Sequence, residues 1–187
     1  MTVVTLITIV LVLGAVGYAV GAARSRSIVG GETSQLHSRP GYYGSYVLVW
    51  TTIPSLLILA AWVFTAPMVI ENQVRGSIPA SERIDMSPTQ QGLAVNMVES
   101  IANGLRLLDE EELTQATAGF VRLRPLLAEK GVALAGEGED WMIGSAQLLN
   151  RLTDTSRLWR SIVVLGLAVG GFALAFMEGQ NGYLGWI

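Results

Sequence analysis

The chain has 187 residues, of which 51% are hydrophobic and only 14% are charged, with a formal net charge of −3 and no cysteine. Soluble domains carry about 25% charged residues, so this deficit indicates an integral membrane protein. The acidic balance argues against a nucleic-acid partner, which requires a basic face. The lack of cysteine excludes disulfides and thiolate metal sites.

The first predicted transmembrane helix covers residues 1–23, because Thr2 to Ala23 carries no charge and about 20 apolar residues span the hydrocarbon layer. No Lys or Arg precedes this run, which favours a retained helix over a cleaved signal peptide. Small residues let helices pack closely in lipid, although glycine is also simply common in such helices. The close-packing interpretation predicts helix-packing positions at Gly14, Gly17 and Gly21.

Residues 24–45 form a short loop that carries three arginines and a single acid, Glu32. Short arginine-rich loops stay on the cytoplasmic side, so the N-terminus is expected outside. The only histidine, His37, lies in this loop. A proton or phosphate ligand is one interpretation of it, and an ordinary polar loop residue is the more common one.

The second predicted transmembrane helix covers residues 46–70, which carry no charge, and a turn-rich entry at 36–44 precedes it. Pro54 should kink this helix by removing a backbone hydrogen bond, and Pro67 should help to end it. Aromatic rings and arginines prefer the membrane–water interface. The residues predicted at that interface are Arg24, Arg26, Arg39, Tyr42, Tyr43, Tyr46, Trp50, Trp159 and Arg160.

Residues 71–157 predict a helical periplasmic domain with 13 acids and 8 bases. Helix-start signals occur at Ser87 and at Asp109, each followed three residues later by Gln or Glu. The two helices should form an antiparallel hairpin, with a kink or a break near Arg124 because of Pro125. Their predicted apolar faces are Leu93, Met97, Ile101, Leu105 and Leu108, then Leu113, Ala116, Phe120, Leu123 and Leu127.

A small-residue loop at 131–138 precedes a third long helix, which starts near Asp140 and has no obvious stop signal. Its apolar half predicts a transmembrane helix at 158–178, followed by a tail at 179–187. Gly166 and Gly170 repeat the close-packing spacing. Arg151, Arg157 and Arg160 flank the outer end of this span and, taken alone, would reverse its orientation, but the positive-inside rule applies best to short loops.

The pattern predicts an all-α membrane protein with three transmembrane helices and a helical extramembrane insert between the second and third. No catalytic, cofactor-binding or metal-binding residues are predicted. The acidic run at 109–112 is better explained by helix capping than by a metal site. No Asp, Glu, Lys, Arg or His lies in the inner parts of the predicted spans at 2–23, 46–70 and 161–177, which favours an anchoring, packing or assembly role over an ion path.

One stretch resembles a known family. It reads LHSRPGYYG at 36–44, followed by YVLVW at 46–50 and by Pro54. It looks like the N-terminal membrane module of the PstC-type permease of bacterial phosphate ABC importers, and the order of spans and insert is also similar. The resemblance implies membership of an inner-membrane importer, with a second permease, an ATPase dimer and a periplasmic phosphate-binding protein as partners.

The conducting permease domain of that family should follow the third span, whereas this sequence stops at Ile187. The chain is therefore interpreted as a fragment of such a permease or as its extension in separate form. No phosphate-binding residue carries over from the resemblance. Two further interpretations stay open: an accessory or assembly subunit of a respiratory or photosynthetic complex, and, less favoured, a sensor with a periplasmic helical domain.

Overall fold

The computed structural model describes residues 1–28, 40–134 and 136–181, and these residues are helical with no strand. Three of the helices contain segments long and apolar enough to cross a membrane, at Val3–Arg24, Gly44–Gly76 and Asp140–Ala175. This confirms the predicted fold class. The helices in chain order are α1 Val3–Ile28, α2 Pro40–Gly76, α3 Ala80–Asp85, α4 Pro88–Leu105, α5 Glu110–Ala116, α6 Phe120–Glu129 and α7 Asp140–Asn181.

The chain divides into two compact units. The first, called here the three-helix unit, consists of Met1–Phe64 and Arg157–Ile187. The second, called here the lobe, is Thr65–Ser156. Helices α2 and α7 each contribute residues to both units, and the long third helix predicted near Asp140 is confirmed as one helix of 42 residues.

Helix α2 is longer than the sequence predicts at both ends. It starts at Pro40, so the turn expected at 36–44 is wrong from Pro40 onward, while His37 and Arg39 lie outside the described residues. Proline suits a first helical position because its missing N–H has no intrahelical acceptor there. The helix also continues past Pro67 to Gly76, since one lost hydrogen bond is tolerated in an apolar helix. A kink at Pro54 stays a prediction.

Both capping boxes predicted in the lobe are present. Ser87 Oγ accepts from the Gln90 amide at 3.3 Å, and Gln90 Oε1 accepts from the Ser87 amide at 2.7 Å. Asp109 and Glu112 make the same reciprocal pair at 2.8 and 3.1 Å. These bonds satisfy amides that have no intrahelical acceptor at a helix start.

The helix expected after Asp109 is divided into α5 and α6. Of the kink or break expected near Arg124, the break is wrong because Pro125 lies inside α6, and the kink stays a prediction. The chain turns instead at Gly119, with φ 149° and ψ 157°. This backbone region is populated almost only by glycine. Helix α6 contacts both α5 and α4. The antiparallel direction of the predicted hairpin stays a prediction.

The lobe core is formed by α4, α5, α6 and the lobe segments of α2 and α7. Predicted face residues Ala116, Phe120, Leu123 and Leu127 are buried, but Leu93 on α4 is 63% exposed. The buried face of α4 is rotated toward smaller residues, and at Gly104 an added Cβ would lie 2.7 Å from Leu127 Cδ2. The buried α4 residues are Ala94, Val98, Ile101, Ala102, Gly104 and Leu105.

Polar contacts tie α4 to the lobe segment of α7. Asn150 Nδ2 donates to the Ala102 carbonyl at 2.8 Å, and Asn150 Oδ1 accepts from Arg106 Nε at 2.6 Å. Arg106 also pairs with Asp154, with 2.8 Å between Nη2 and Oδ1. Ser77 directly follows α2, and its Oγ donates to Oγ of the buried Ser145 at 2.8 Å. Charged and amide groups of the lobe thus fix the pairing of distant chain segments.

Asp140 acts as a cap for a helix other than its own. Its Oδ1 accepts the Phe120 amide at 2.7 Å, where Gly119 provides no side chain to do so. We expect Asp140→Ala to lower the unfolding free energy of the lobe by about 1 kcal/mol, the usual effect of losing a cap. Denaturant unfolding of the full chain in detergent measures this. Glu137→Ala, which removes an exposed acid close by, should change the free energy much less.

Lys130 forms an ion pair with the capping residue Glu112, with 2.9 Å between Nζ and Oε1. This hydrogen bond is the main reason why the pKa of Lys130 lies above its ordinary value of 10.5. A raised pKa stabilises the fold at pH values below 10.5, and that contribution is lost as the pH rises through the folded-state pKa.

The stability of the wild-type lobe should therefore fall in strongly alkaline solution by slightly more than that of Lys130→Gln. The effect should be small because the pair is partly exposed and screened by solvent. Denaturant midpoints across a pH series in detergent check it, with Arg122→Gln as a control for loss of an exposed charge. If the denaturant midpoints of wild type and Lys130→Gln changed with pH in the same way, the pKa of Lys130 would not contribute to the stability of the lobe.

Candidate helix-packing interface

The three-helix unit is held together where glycines of one helix meet side chains or backbone of another. An added Cβ at Gly17 of α1 would lie 2.9 Å from Val47 Cγ1 of α2, and one at Gly44 would lie 2.7 Å from the Tyr18 carbonyl oxygen. A Cβ at Gly14 would overlap Thr52 Cγ2. The residue numbers of the contacted positions in α2 fall as those in α1 rise, so α1 and α2 are antiparallel.

Helix α7 runs parallel to α1 in this unit. An added Cβ at Gly17 would also lie 3.2 Å from Phe172 Cδ2, and Arg160 Nη2 donates to the Met1 carbonyl at 2.9 Å. Both helices are therefore antiparallel to α2, as successive crossings of one membrane require. A buried apolar layer joins the three helices, formed by Leu6, Val10, Leu59, Val164 and Ala168.

The glycine of α7 that meets α2 is not one of those predicted from spacing. A Cβ on Gly171 would overlap the carbonyl oxygen of Trp50, whereas Gly166 and Gly170 have no atom of the described chain within 4 Å of such a position. Gly21 of α1 is half-buried. The packing roles predicted for Gly166 and Gly170 stay predictions.

Three hydroxyl residues of α2 are buried in the same interface. Thr51, Thr52 and Ser55 donate to the carbonyls four residues earlier, at 2.7, 2.7 and 2.9 Å. Each hydroxyl is therefore satisfied within its own helix, so that it can be buried without a partner across the interface. Sequence reasoning overlooked these residues, although a TTxxS pattern in a charge-free span is a signal of helix association.

The predicted membrane-interface residues are placed at exposed positions where the structure describes them. Tyr42 and Trp159 are exposed, and the rings of Tyr46 and Trp50 are 6.1 Å apart between centroids. Arg24 is also exposed, whereas Arg160 is half-buried. The side chains of Arg26 and Tyr43 and all of Arg39 lie outside the described part. The location of these residues at the membrane–water interface stays a prediction.

The chemistry of this interface is that of packing. Its buried layer is apolar, and the buried hydroxyls beside that layer are already bonded to backbone. Within residues 1–28, 40–134 and 136–181, no three His, Asp or Glu side chains are grouped so that they could hold a metal ion. What the site can do is bring helices into close contact.

Comparison with known proteins places the chain in a transport family. Residues 7–173 match the family model described as phosphate ATP-binding cassette transporter. No curated protein and no solved structure is similar enough to count as a match. The matched range includes the helix-packing contacts of α1, α2 and α7 as well as the whole lobe. The chain therefore belongs to the phosphate ATP-binding cassette transporter family, as the stretch at 36–54 led us to expect.

Proposed function

We propose that this chain is a non-catalytic membrane module of a phosphate ABC importer permease of the PstC type, which packs beside the conducting part. The observation that carries the proposal is a single family match that extends over both the three-helix unit and the lobe. One match that covers both units supports an assembly role for the spans and the lobe together.

The composition of the spans supports a packing role over a translocation path. Residues 2–23, 46–70 and 161–177 contain no charged side chain. The buried hydroxyls Thr51 and Ser55 are bonded to backbone carbonyls. Ion and proton paths in membranes are usually marked by ionisable residues that face the bundle interior. Phosphate movement is accordingly assigned to the conducting part of the permease and to the other importer subunits.

The surface proposed to meet those subunits includes Gly166 and Gly170 of α7. Their spacing allows close helix approach, and nothing in the described chain occupies the space beside them. Gly14 and Gly17, in contrast, are used within the chain. We assign Gly166 and Gly170 to contact with the conducting permease domain.

The proposed topology keeps the predicted segments. Residues 1–23, 46–70 and 158–178 cross the bacterial inner membrane, 24–45 is cytoplasmic, and the N-terminus and 71–157 are periplasmic. The antiparallel and parallel pairings of α1, α2 and α7 support three alternating crossings. Because the chain has no cysteine, Glu110→Cys and Ser34→Cys provide single labelling sites. An impermeant thiol reagent on intact spheroplasts should label the first and not the second.

Affinity purification of the tagged full chain from native membranes tests the function. A second permease subunit, an ATPase and a phosphate-binding protein should co-purify, and deletion of the gene should reduce phosphate uptake. Gly170→Leu should weaken co-purification while leaving the chain itself folded. Normal uptake in the deletion strain would refute the transport role. Recovery with a respiratory or photosynthetic complex instead would favour an accessory subunit.

A further inference from the structure

We propose that Arg157 and Arg160 of α7 together bind the phosphate of an anionic phospholipid headgroup. The two arginines are three residues apart on one helix, so their side chains lie on the same face. The uncharged stretch 161–177 begins directly after them. The pair therefore lies at the end of the apolar part of α7, where the headgroup region begins. This inference requires a membrane-spanning chain but not the proposed importer role.

The charge of Arg157 is not neutralised within the described part of the chain. Its guanidinium has no hydrogen bond or ion pair with any residue of the described part. The nearest acid earlier in the helix, Asp154, is paired with Arg106 at 2.8 Å. A cation that has no protein partner at a membrane boundary is available to an anion from the surroundings.

Arg160 is held in place and is also not neutralised. Its Nη2 donates to the Met1 carbonyl at 2.9 Å, which positions the side chain against the first residues of the three-helix unit. Its Nε is the one buried side-chain polar atom without a hydrogen-bond partner in the part of the chain described. A carbonyl offers a partial charge only, so two positive charges remain on one helix face, where like charges repel.

The depth and the chemistry of the pair favour a lipid phosphate as the counter-anion. Guanidinium groups bind phosphate oxygens through paired, charge-assisted hydrogen bonds. Trp159 lies between the two arginines in sequence and is 53% exposed, and tryptophan prefers the headgroup level. Basic residues near the ends of transmembrane helices attract anionic lipids. An anionic headgroup would thus offset the repulsion between the two arginines.

Native mass spectrometry of the full chain in mild detergent, titrated with phosphatidylglycerol or phosphatidylcholine, tests the inference. Wild type should retain phosphatidylglycerol in preference to phosphatidylcholine. Arg157→Gln and Arg160→Gln should each weaken retention roughly tenfold, as expected for one lost charge-assisted hydrogen bond. Arg151→Gln removes the same charge about 9 Å earlier on the helix and should leave retention unchanged. Circular dichroism verifies that each variant is folded.

Three outcomes would overturn the inference. Equal retention of the two lipids, or equal loss in Arg151→Gln, would show that the arginines do not form a specific headgroup site. Displacement of phosphatidylglycerol by excess inorganic phosphate would assign the pair to free phosphate instead. If the Gln variants retained lipid normally but lost partner subunits on purification from membranes, an acidic protein partner would be the counter-anion.

Discussion

Replacing Gly171 by leucine should disrupt the three-helix unit, whereas the same replacement at Gly170 should not. A side chain on Gly171 would overlap the backbone carbonyl of Trp50, and backbone cannot move aside as the tip of a side chain can. Gly170 has open space at the corresponding position. We expect Gly171→Leu to cost about 3 kcal/mol or more, above the usual range for overpacking.

Thermal unfolding of the two variants in detergent, followed by circular dichroism, provides the comparison. The intrinsic helix propensity gained over glycine is the same in both variants, about 1 kcal/mol at most, so the difference between them isolates the contact with α2. Similar unfolding temperatures for Gly170→Leu and Gly171→Leu would mean that α7 does not approach α2 at this position.

Truncation of Leu127 to alanine should destabilise the lobe by about 2 to 5 kcal/mol, the usual cost of a buried leucine. Leu127 is fully buried and lies against Gly104 of α4, where an added Cβ would be 2.7 Å from its Cδ2. Gly104→Ala in the wild-type background should therefore be unfavourable despite its gain in helix propensity. In the Leu127→Ala background the space exists, and Gly104→Ala should become favourable.

A double-mutant cycle measures this coupling by denaturant unfolding of the full chain. We expect a favourable interaction free energy of about 1 kcal/mol or more between Gly104→Ala and Leu127→Ala. The matched control is Gly92→Ala in the same helix, where no atom of the described chain lies within 4 Å of the added Cβ. It should stabilise both backgrounds equally, within about 0.5 kcal/mol. Equal coupling at Gly92 and Gly104 would argue against direct contact between Gly104 and Leu127.

The local features of this protein could be predicted because they depend on neighbours in sequence. The capping boxes at Ser87 and Asp109 require residues three positions apart. The long α7 and the three apolar helices follow from composition alone. The membership of a phosphate transporter family followed from a short motif near Pro40, which the family match supports over residues 7–173.

The sequence by itself therefore determined the three long apolar helices and the two capping boxes. Hydrophobic runs and backbone capping act within a few residues, so both can be recognised without the fold. Only the tertiary structure decided which glycines and hydroxyls form interfaces within the described chain: Gly171 and Thr51 meet other helices there, whereas no atom of the described chain lies within 4 Å of a Cβ added at Gly166 or Gly170. Likewise it decided that Leu93 is exposed and that the chain turns at Gly119. Glycines at similar spacing on one helix differ in their contacts because a second helix packs against some of them and not against others. That second helix is distant in sequence, so the spacing alone does not identify it.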